Sequence, residues 1–294
     1  MYQLIYGILY VFSCLPLFVL YRLSDCCHFV LCYIVRYRRE VVLNNLAIAF
    51  PDKTEKERKK IAVDFYRNLT DTFFETIKLL SISDKRLHKM AEIELSEVIE
   101  IAKKGKSIQF HAGHQFNWEF ANLLLAAQMP IPFIGVYKKI SSKYFDRLFF
   151  DLRSKKGTVL VATHEFRNRM HQLLANQYCI GLAADQNPGN PHQAYWCNFF
   201  NKPVPFVTGP DKSARKNNTA VVFIKLIKIR RGKYRFTPGL ILEDTTNLKE
   251  GELTLMYRDF LESTIKEHPD NYLWSHRRWR WEYREEYASK RIEA

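Results

Sequence analysis

The sequence predicts an α/β fold, a central mixed sheet flanked by helices, preceded by an N-terminal membrane helix. Three observations lead there. The first 21 residues carry no charge. From residue 105 onward, short apolar runs alternate with helical segments. No repeat or low-complexity linker interrupts residues 36–294. Strands alternating with helices are the pattern of a sheet covered by helices on its faces. Hydrophobic residues at 47% and charged residues at 26% exclude a disordered chain, so the whole of 36–294 is expected to form one domain behind an anchor of residues 1–35.

Taken in order, the segment Tyr2–Tyr21 is long enough to span a bilayer. It lacks the positive start and small-residue cleavage point of a secretory signal. A second apolar run, Cys26–Val35, follows Arg22 and Asp25, and the first cationic cluster is Arg36, Arg38 and Arg39. The positive-inside rule then puts the remainder in the cytoplasm. Pro16 is expected to kink the helix, and a hairpin dipping into one leaflet is the alternative. Four of the six cysteines lie in the first 32 residues with no zinc spacing and no disulfide framework, which points to reduced thiols. Adjacent Cys26 and Cys27 at a membrane edge are candidates for acylation.

Thr54 and Glu57 form a capping box that starts a long helix, on which Ile61, Phe65, Leu69, Phe73 and Ile77 recur every four residues as an apolar stripe. The stripe is expected to face the core. Strands are expected at 107–110, 132–137, 158–162, 179–184, 220–229 and 234–237. Helices are expected at 118–128, 142–153, 165–175, 211–217 and 252–266. Arg230-Arg231-Gly232-Lys233 reads as a hairpin turn.

The segment Phe110-His111-Ala112-Gly113-His114-Gln115-Phe116-Asn117-Trp118-Glu119 carries the chemistry. A strand ends, a glycine turn follows, and a helix starts after Asn117, a residue suited to an N-cap. His114 falls at the carboxyl end of the strand, where α/β sheets bind ligands. Glu119 falls in the first helical turn, where the dipole favours an ionised carboxylate. If the turn joins them, Glu119 accepts a hydrogen bond from one imidazole N–H and the other nitrogen becomes a base toward the cleft. That suits deprotonating an alcohol as it attacks a carbonyl. No G-x-S-x-G nucleophile elbow is present, and none is needed when the substrate supplies the hydroxyl. His111 and His114 find no further ligands in a metal-binding spacing, so no metal is expected.

The net charge of +14 calls for an anionic partner. Residues 202–235 hold ten basic residues and one acid, Asp211, and are expected to meet anionic headgroups or an acidic carrier protein. No nucleic-acid-binding module accompanies the charge, and a spanning segment argues against nucleic acid.

The His114-Gln115-Phe116-Asn117-Trp118-Glu119 element resembles that of the late lipid A acyltransferases, the lauroyl and myristoyl transferases of Gram-negative bacteria, within the lysophospholipid acyltransferase superfamily. The likeness runs along nearly the whole chain. It includes Arg39 with Asn45-Leu46 and Phe50-Pro51, Gly135-Val136-Tyr137-Lys138, Leu152-Arg153, Ala184-Asp185-Gln186, Phe199-Phe200 with Pro203, and Trp274-Ser275-His276-Arg277-Arg278-Trp279. Gln115-Phe116 departs from the family's Phe-Gly, and Asn201 from its Gly. The resemblance implies an enzyme of lipopolysaccharide synthesis. Its donor is an acyl carrier protein thioester (or acyl-CoA), and its acceptor is a hydroxyl of an anionic glycolipid, a lipid A precursor. It works at the cytoplasmic face of the bacterial inner membrane and needs no cofactor. His114 is implied as general base and Glu119 as the residue that orients it. Arg153 is implied at an oxyanion or phosphate, with Asp185 orienting Arg153 or the acceptor. Asn117, Gln186, His276 and Arg277 are the candidate substrate-binding residues. A lysophospholipid or aminolipid acceptor is the alternative within the enzyme class, and a lipid-binding protein without turnover is the alternative outside it.

Overall fold

The computed structural model describes residues 1–292. Its helices are α1 (Tyr2–Cys14), α2 (Leu17–Phe29), α3 (Arg39–Ala49), α4 (Glu55–Lys78), α5 (Asp84–Met90), α6 (Ser96–Lys103), α7 (Trp118–Gln128), α8 (Lys143–Ser154), α9 (Thr163–Leu173), α10 (Gly209–Asn217) and α11 (Glu252–Glu267). Its strands are β1 (Ala91–Ile93), β2 (Ile108–Ala112), β3 (Phe133–Tyr137), β4 (Val159–Ala162), β5 (Cys179–Ala183), β6 (Tyr195–Phe199), β7 (Lys202–Phe206), β8 (Ala220–Arg230) and β9 (Lys233–Leu242). Seven strands form one mixed sheet in the order β1-β9-β8-β2-β5-β3-β4, in which only β8 and β9 pair antiparallel. β6 and β7 form a separate hairpin.

Alternation along β2 divides the interior between the two faces of the sheet. Ile108 and Phe110 join a core with α6 and α7. His111 points the other way, its ring within 6 Å of the rings of Phe223 and Tyr257. That second core holds α3, part of α4, α11, the β6–β7 hairpin and Trp274.

All six predicted strands are present, with ends shifted by a few residues. The predicted hairpin turn lies at Arg231-Gly232, where Gly232 has φ +73°. A Cβ there would sit 2.4 Å from the Tyr21 phenol oxygen, so this turn needs glycine twice over. The β6–β7 turn uses Phe200 and Asn201, at φ 50° and 61°. Two residues at positive φ make the tight turn that suits strand twist, and Asn tolerates that region better than most residues. This accounts for Asn201 where the resemblance leads one to expect Gly.

The N-terminal segment departs from expectation. Tyr2–Tyr21 is not one helix. Pro16 has no N–H and pushes Leu15 out of helical conformation, to ψ 147°. α1 and α2 have 13 residues each, about 20 Å, short of a hydrocarbon core of about 30 Å. The stretch long and apolar enough to cross a membrane is Leu17–Ile34, where α2 runs on into a π-helical turn. Leu4, Ile8, Val11 and Phe12 on α1, Phe18 and Phe29 on α2, and Val30, Tyr33 and Ile34 beyond it all expose apolar surface.

Nor is this segment a tether held apart from the domain. The Lys78 ammonium donates to the carbonyls of Ser13 and Leu15 at 2.6 and 3.0 Å and caps the end of α1. Tyr2 donates to Asp151 of α8. α2 lies along α4 over a buried polar cluster. Asp71 and Glu75 are both fully buried on α4. Asp71 accepts from Ser24 (2.8 Å), Lys228 (3.0 Å) and Arg231 (2.6 Å). Glu75 accepts from Tyr21 (2.8 Å), Tyr234 (2.5 Å) and Asn117 (2.8 Å). Burial pushes the Glu75 carboxyl up, against the pull of Lys228 and the two phenols.

α4 starts at the expected capping box, with Glu57 N–H on Thr54 Oγ1 and Thr54 N–H on Glu57 Oε2. Its apolar stripe does not stay inside: Phe65 is buried but Phe73 is 58% exposed. A four-residue step advances about 40° beyond a full turn, so the series winds around the helix.

Removing residues 1–35 strips the cover and one phenol from Glu75, leaving a carboxylate whose partners are incomplete. The truncated protein is therefore expected to melt several degrees below the full chain or to fail to fold. Tyr21→Phe is expected to cost about 1 kcal/mol. Thermal unfolding followed by circular dichroism in detergent decides; a truncated form as stable as the full chain would show the contacts to be incidental.

Candidate active site

β2 and β5 run parallel in a register that matches Ala112 to Ala183. Two residues beyond each lie His114 and Asp185, at the carboxyl edge of the sheet. Asp185 Oδ1 is 2.6 Å from His114 Nδ1, and Asp185 Oδ2 accepts the His114 backbone N–H at 2.9 Å. The carboxyl group is 1% exposed and the imidazole 24%. Burial alone would lower the His114 pKa, but the Asp185 charge and hydrogen bond outweigh it and the net shift is upward. Burial alone would raise Asp185, and its contact with His114 brings it well below the usual carboxylate range. An ionised Asp185 fixes the tautomer with the proton on Nδ1. His114 Nε2 has no hydrogen-bond partner among the described residues.

Glu119 is not the partner of His114. It is 3% exposed and bound by Arg153, whose Nε and Nη2 reach its two oxygens at 2.6–3.1 Å. Asp185 in turn binds His114 and not Arg153. Trp118 stands between the two pairs: its ring centroid lies 5.8 Å from that of His114, and its indole N–H donates to Glu119 Oε1 at 3.1 Å. Arg153 Nη1 has no partner among the described residues, and the side chain keeps 21% exposure.

The turn carrying His114 is pinned by the C-terminal segment. Leu273 N–H donates to the His114 carbonyl at 3.1 Å and Phe116 N–H to the Asn271 carbonyl at 3.3 Å. Tyr257 donates to the Ala112 carbonyl at 2.8 Å. Burial first, and then the Asp185 charge, holds the phenols of Tyr257 and Tyr272 well above the ordinary range, so both remain protonated beside the site.

The remaining candidates separate. Asn117 precedes α7 as expected, but its side chain is fully buried on Glu75 and makes no cap hydrogen bond. It holds the turn rather than facing a substrate. His276 accepts from the Asn187 N–H at 3.1 Å, and burial lowers its pKa to about 4, so it is a neutral acceptor. Gln186 and His276 line a groove with Leu31 and Tyr37 from the end of the N-terminal segment. Arg277 is exposed. His111 is a core residue, its pKa lowered by burial to about 3.

The basic stretch 202–235 is mostly taken up in ion pairs. Lys212, Arg215, Lys225, Lys228, Arg231, Lys233 and Arg235 each pair with a carboxylate. It does not form the free cationic face that its composition predicts. Sequence reasoning missed Trp118 as the spacer between the pairs and Glu75 behind Asn117. The first lies inside the motif; the second gave no signal beyond an acid on a helix.

The family model for bacterial lipid A biosynthesis acyltransferases matches residues 1–281. The lipid A biosynthesis lauroyltransferase of Escherichia coli (strain K12) is 23% identical over 279 residues, covering 93% of this chain and 89% of that protein. The palmitoleoyltransferase of the same strain is 20% identical over 250 residues, covering 84% and 80%. A lipid A biosynthesis acyltransferase of Shigella flexneri matches to the same extent. The match spans the N-terminal helices, the sheet, the His114–Asp185 and Glu119–Arg153 pairs and the Trp274 segment, and the chain belongs to the bacterial lipid A biosynthesis acyltransferase family.

Proposed function

We propose that this enzyme transfers an acyl chain from an acyl carrier protein thioester to a hydroxyl of a lipid A precursor, with His114 as base and Asp185 as the residue that orients it. The observation that carries this is the 2.6 Å contact between Asp185 and His114 Nδ1, with Nε2 unpartnered among the described residues on a partly exposed ring at the sheet's carboxyl edge. Nε2 takes the proton of the acceptor hydroxyl as its oxygen attacks the thioester carbonyl carbon. The tetrahedral oxyanion collapses, the carbon–sulfur bond breaks, and the imidazolium returns the proton to the leaving sulfur. The products are an ester and a free thiol. Asp185 stabilises the imidazolium in between.

The guanidinium of Arg153, fixed by Glu119, offers its free Nη1 to the oxyanion or to a phosphate. Its second role is to hold Glu119, and through it the Trp118 indole, beside His114. The exposed apolar faces of α1 and α2 support membrane attachment, and Arg36, Arg38 and Arg39 support a cytoplasmic site. An altered glycerophospholipid or aminolipid pattern in a deletion strain would favour the alternative acceptor.

His114→Ala is expected to fold and to lose about 10²–10⁴ in kcat. Asp185→Asn is expected to lose a similar factor and also to change the pH profile. The base must be neutral, so kcat/KM of the wild type climbs with pH and levels off above the raised His114 pKa. Without the Asp185 charge that pKa falls, and the acid limb moves to lower pH at a lower plateau. A limb unmoved in Asp185→Asn would remove His114 as the titrating group.

Glu119→Gln and Arg153→Lys are expected to act as one unit. Each breaks the same two-point contact, so the double variant should be little worse than either single one, with a coupling of about 0.5–3 kcal/mol in a double-mutant cycle. Strict additivity in kcat/KM would show that the two act separately.

Lipid A from a deletion strain, analysed by mass spectrometry, is expected to lack one secondary acyl chain. Lipid A unchanged in acyl count would refute the acceptor assignment.

A further inference from the structure

Most of the 202–235 cations are paired, but Lys202 joins two arginines of the segment after Trp274. Lys202, Arg277 and Arg280 are exposed, and their side chains form no hydrogen bond or ion pair with any described residue. They line one cleft of about 560 Å³ between α3 and the segment after Trp274, together with Glu40, Asn44 and Trp279. Three cations face one carboxylate there. The indole N–H of Trp279 is buried without a hydrogen-bond partner among the described residues, an unusual state for a donor in a folded protein. The cleft is built rather than incidental. Asn45 of α3 donates to the carbonyls of Trp274 and His276 at 2.8 and 2.7 Å and ties its two walls together. One wall is tied to the loop that follows Asp185: the Asn187 side chain donates to the Arg277 carbonyl at 2.6 Å, two residues from Asp185.

We propose that this cleft is a phosphate-ester subsite, in which Lys202, Arg277 and Arg280 hold a phosphate of one of the two substrates while its reacting end lies at His114. Guanidinium forks match phosphate oxygens, a lysine adds a point charge, and the volume suits a sugar phosphate or a phosphodiester. The proposal rests on the acyl-transfer reading above. The phosphate has two possible sources: the glycolipid acceptor, or the phosphopantetheine arm of the donor.

The test is steady-state kinetics of the full chain in mixed micelles, comparing wild type with the Lys202→Ala/Arg280→Ala double variant and with Lys202→Glu. Acceptors are the bis-phosphorylated glycolipid and the same lipid after phosphatase treatment. Donors are the acyl carrier protein thioester and the phosphate-free N-acetylcysteamine thioester. A KM raised about tenfold (~1.4 kcal/mol) for the phosphorylated acceptor alone assigns the cleft to the acceptor. A rise of that size for the carrier-protein donor alone assigns it to the donor arm; both results support the proposal. KM values unchanged for every substrate, or raised equally with and without phosphate, overturn it. Either of these can occur with His114 chemistry intact, so failure here is distinct from failure of the acyl-transfer reading.

Discussion

The register of two neighbouring parallel strands sets the site. β2 and β5 pair residue for residue from Ile108–Cys179 to Ala112–Ala183, and both chains then leave the sheet at the same level. His114 and Asp185 are each two residues beyond the last pair, so the ladder brings them to the same level and the turns beyond it complete the contact. In a parallel pair, a slip of one residue moves every side chain to the opposite face. The apolar alternation of β2, with Ile108 and Phe110 inward on one side and His111 on the other, locks against such a slip. The core thereby helps to specify the contact between His114 and Asp185.

Much of this was legible in the sequence. The strand, glycine turn and helix around His114, the capping box at Thr54 and the turn at Gly232 all rest on local chemistry, and the structure contains them. The partner of His114 was not legible. Glu119 is five residues away and Asp185 seventy-one, and nearness in sequence favoured the wrong acid. Glu119 belongs to a helix whose buried side turns it toward Arg153. The β6–β7 hairpin escaped notice because Pro203 and Pro205 both sit in β7, where propensity argues against a strand; a two-stranded ribbon outside the main sheet tolerates them. β1, with three residues, is too short to show a period.

Charge misled in a second way. The composition of 202–235 predicts a face for anionic partners, yet Lys228 and Arg231 meet the buried Asp71 beneath α2, one helical turn from Glu75. A buried carboxylate persists only when its partners are complete, and Glu75 has three: a phenol from α2, a phenol from β9 and the amide of Asn117. The same atom group therefore touches α2, the sheet and the turn that carries His114. Docking of the N-terminal helices and the shape of the site are parts of one hydrogen-bonded unit.

The backbone bonds that join Asn271 and Leu273 to the His114 turn reach it from a segment that lies beyond every strand of the sheet in sequence. A complete sheet therefore does not by itself complete this turn. Substitutions around Trp274 that loosen the segment are transmitted to His114 through the main chain, with the strand ladder left intact.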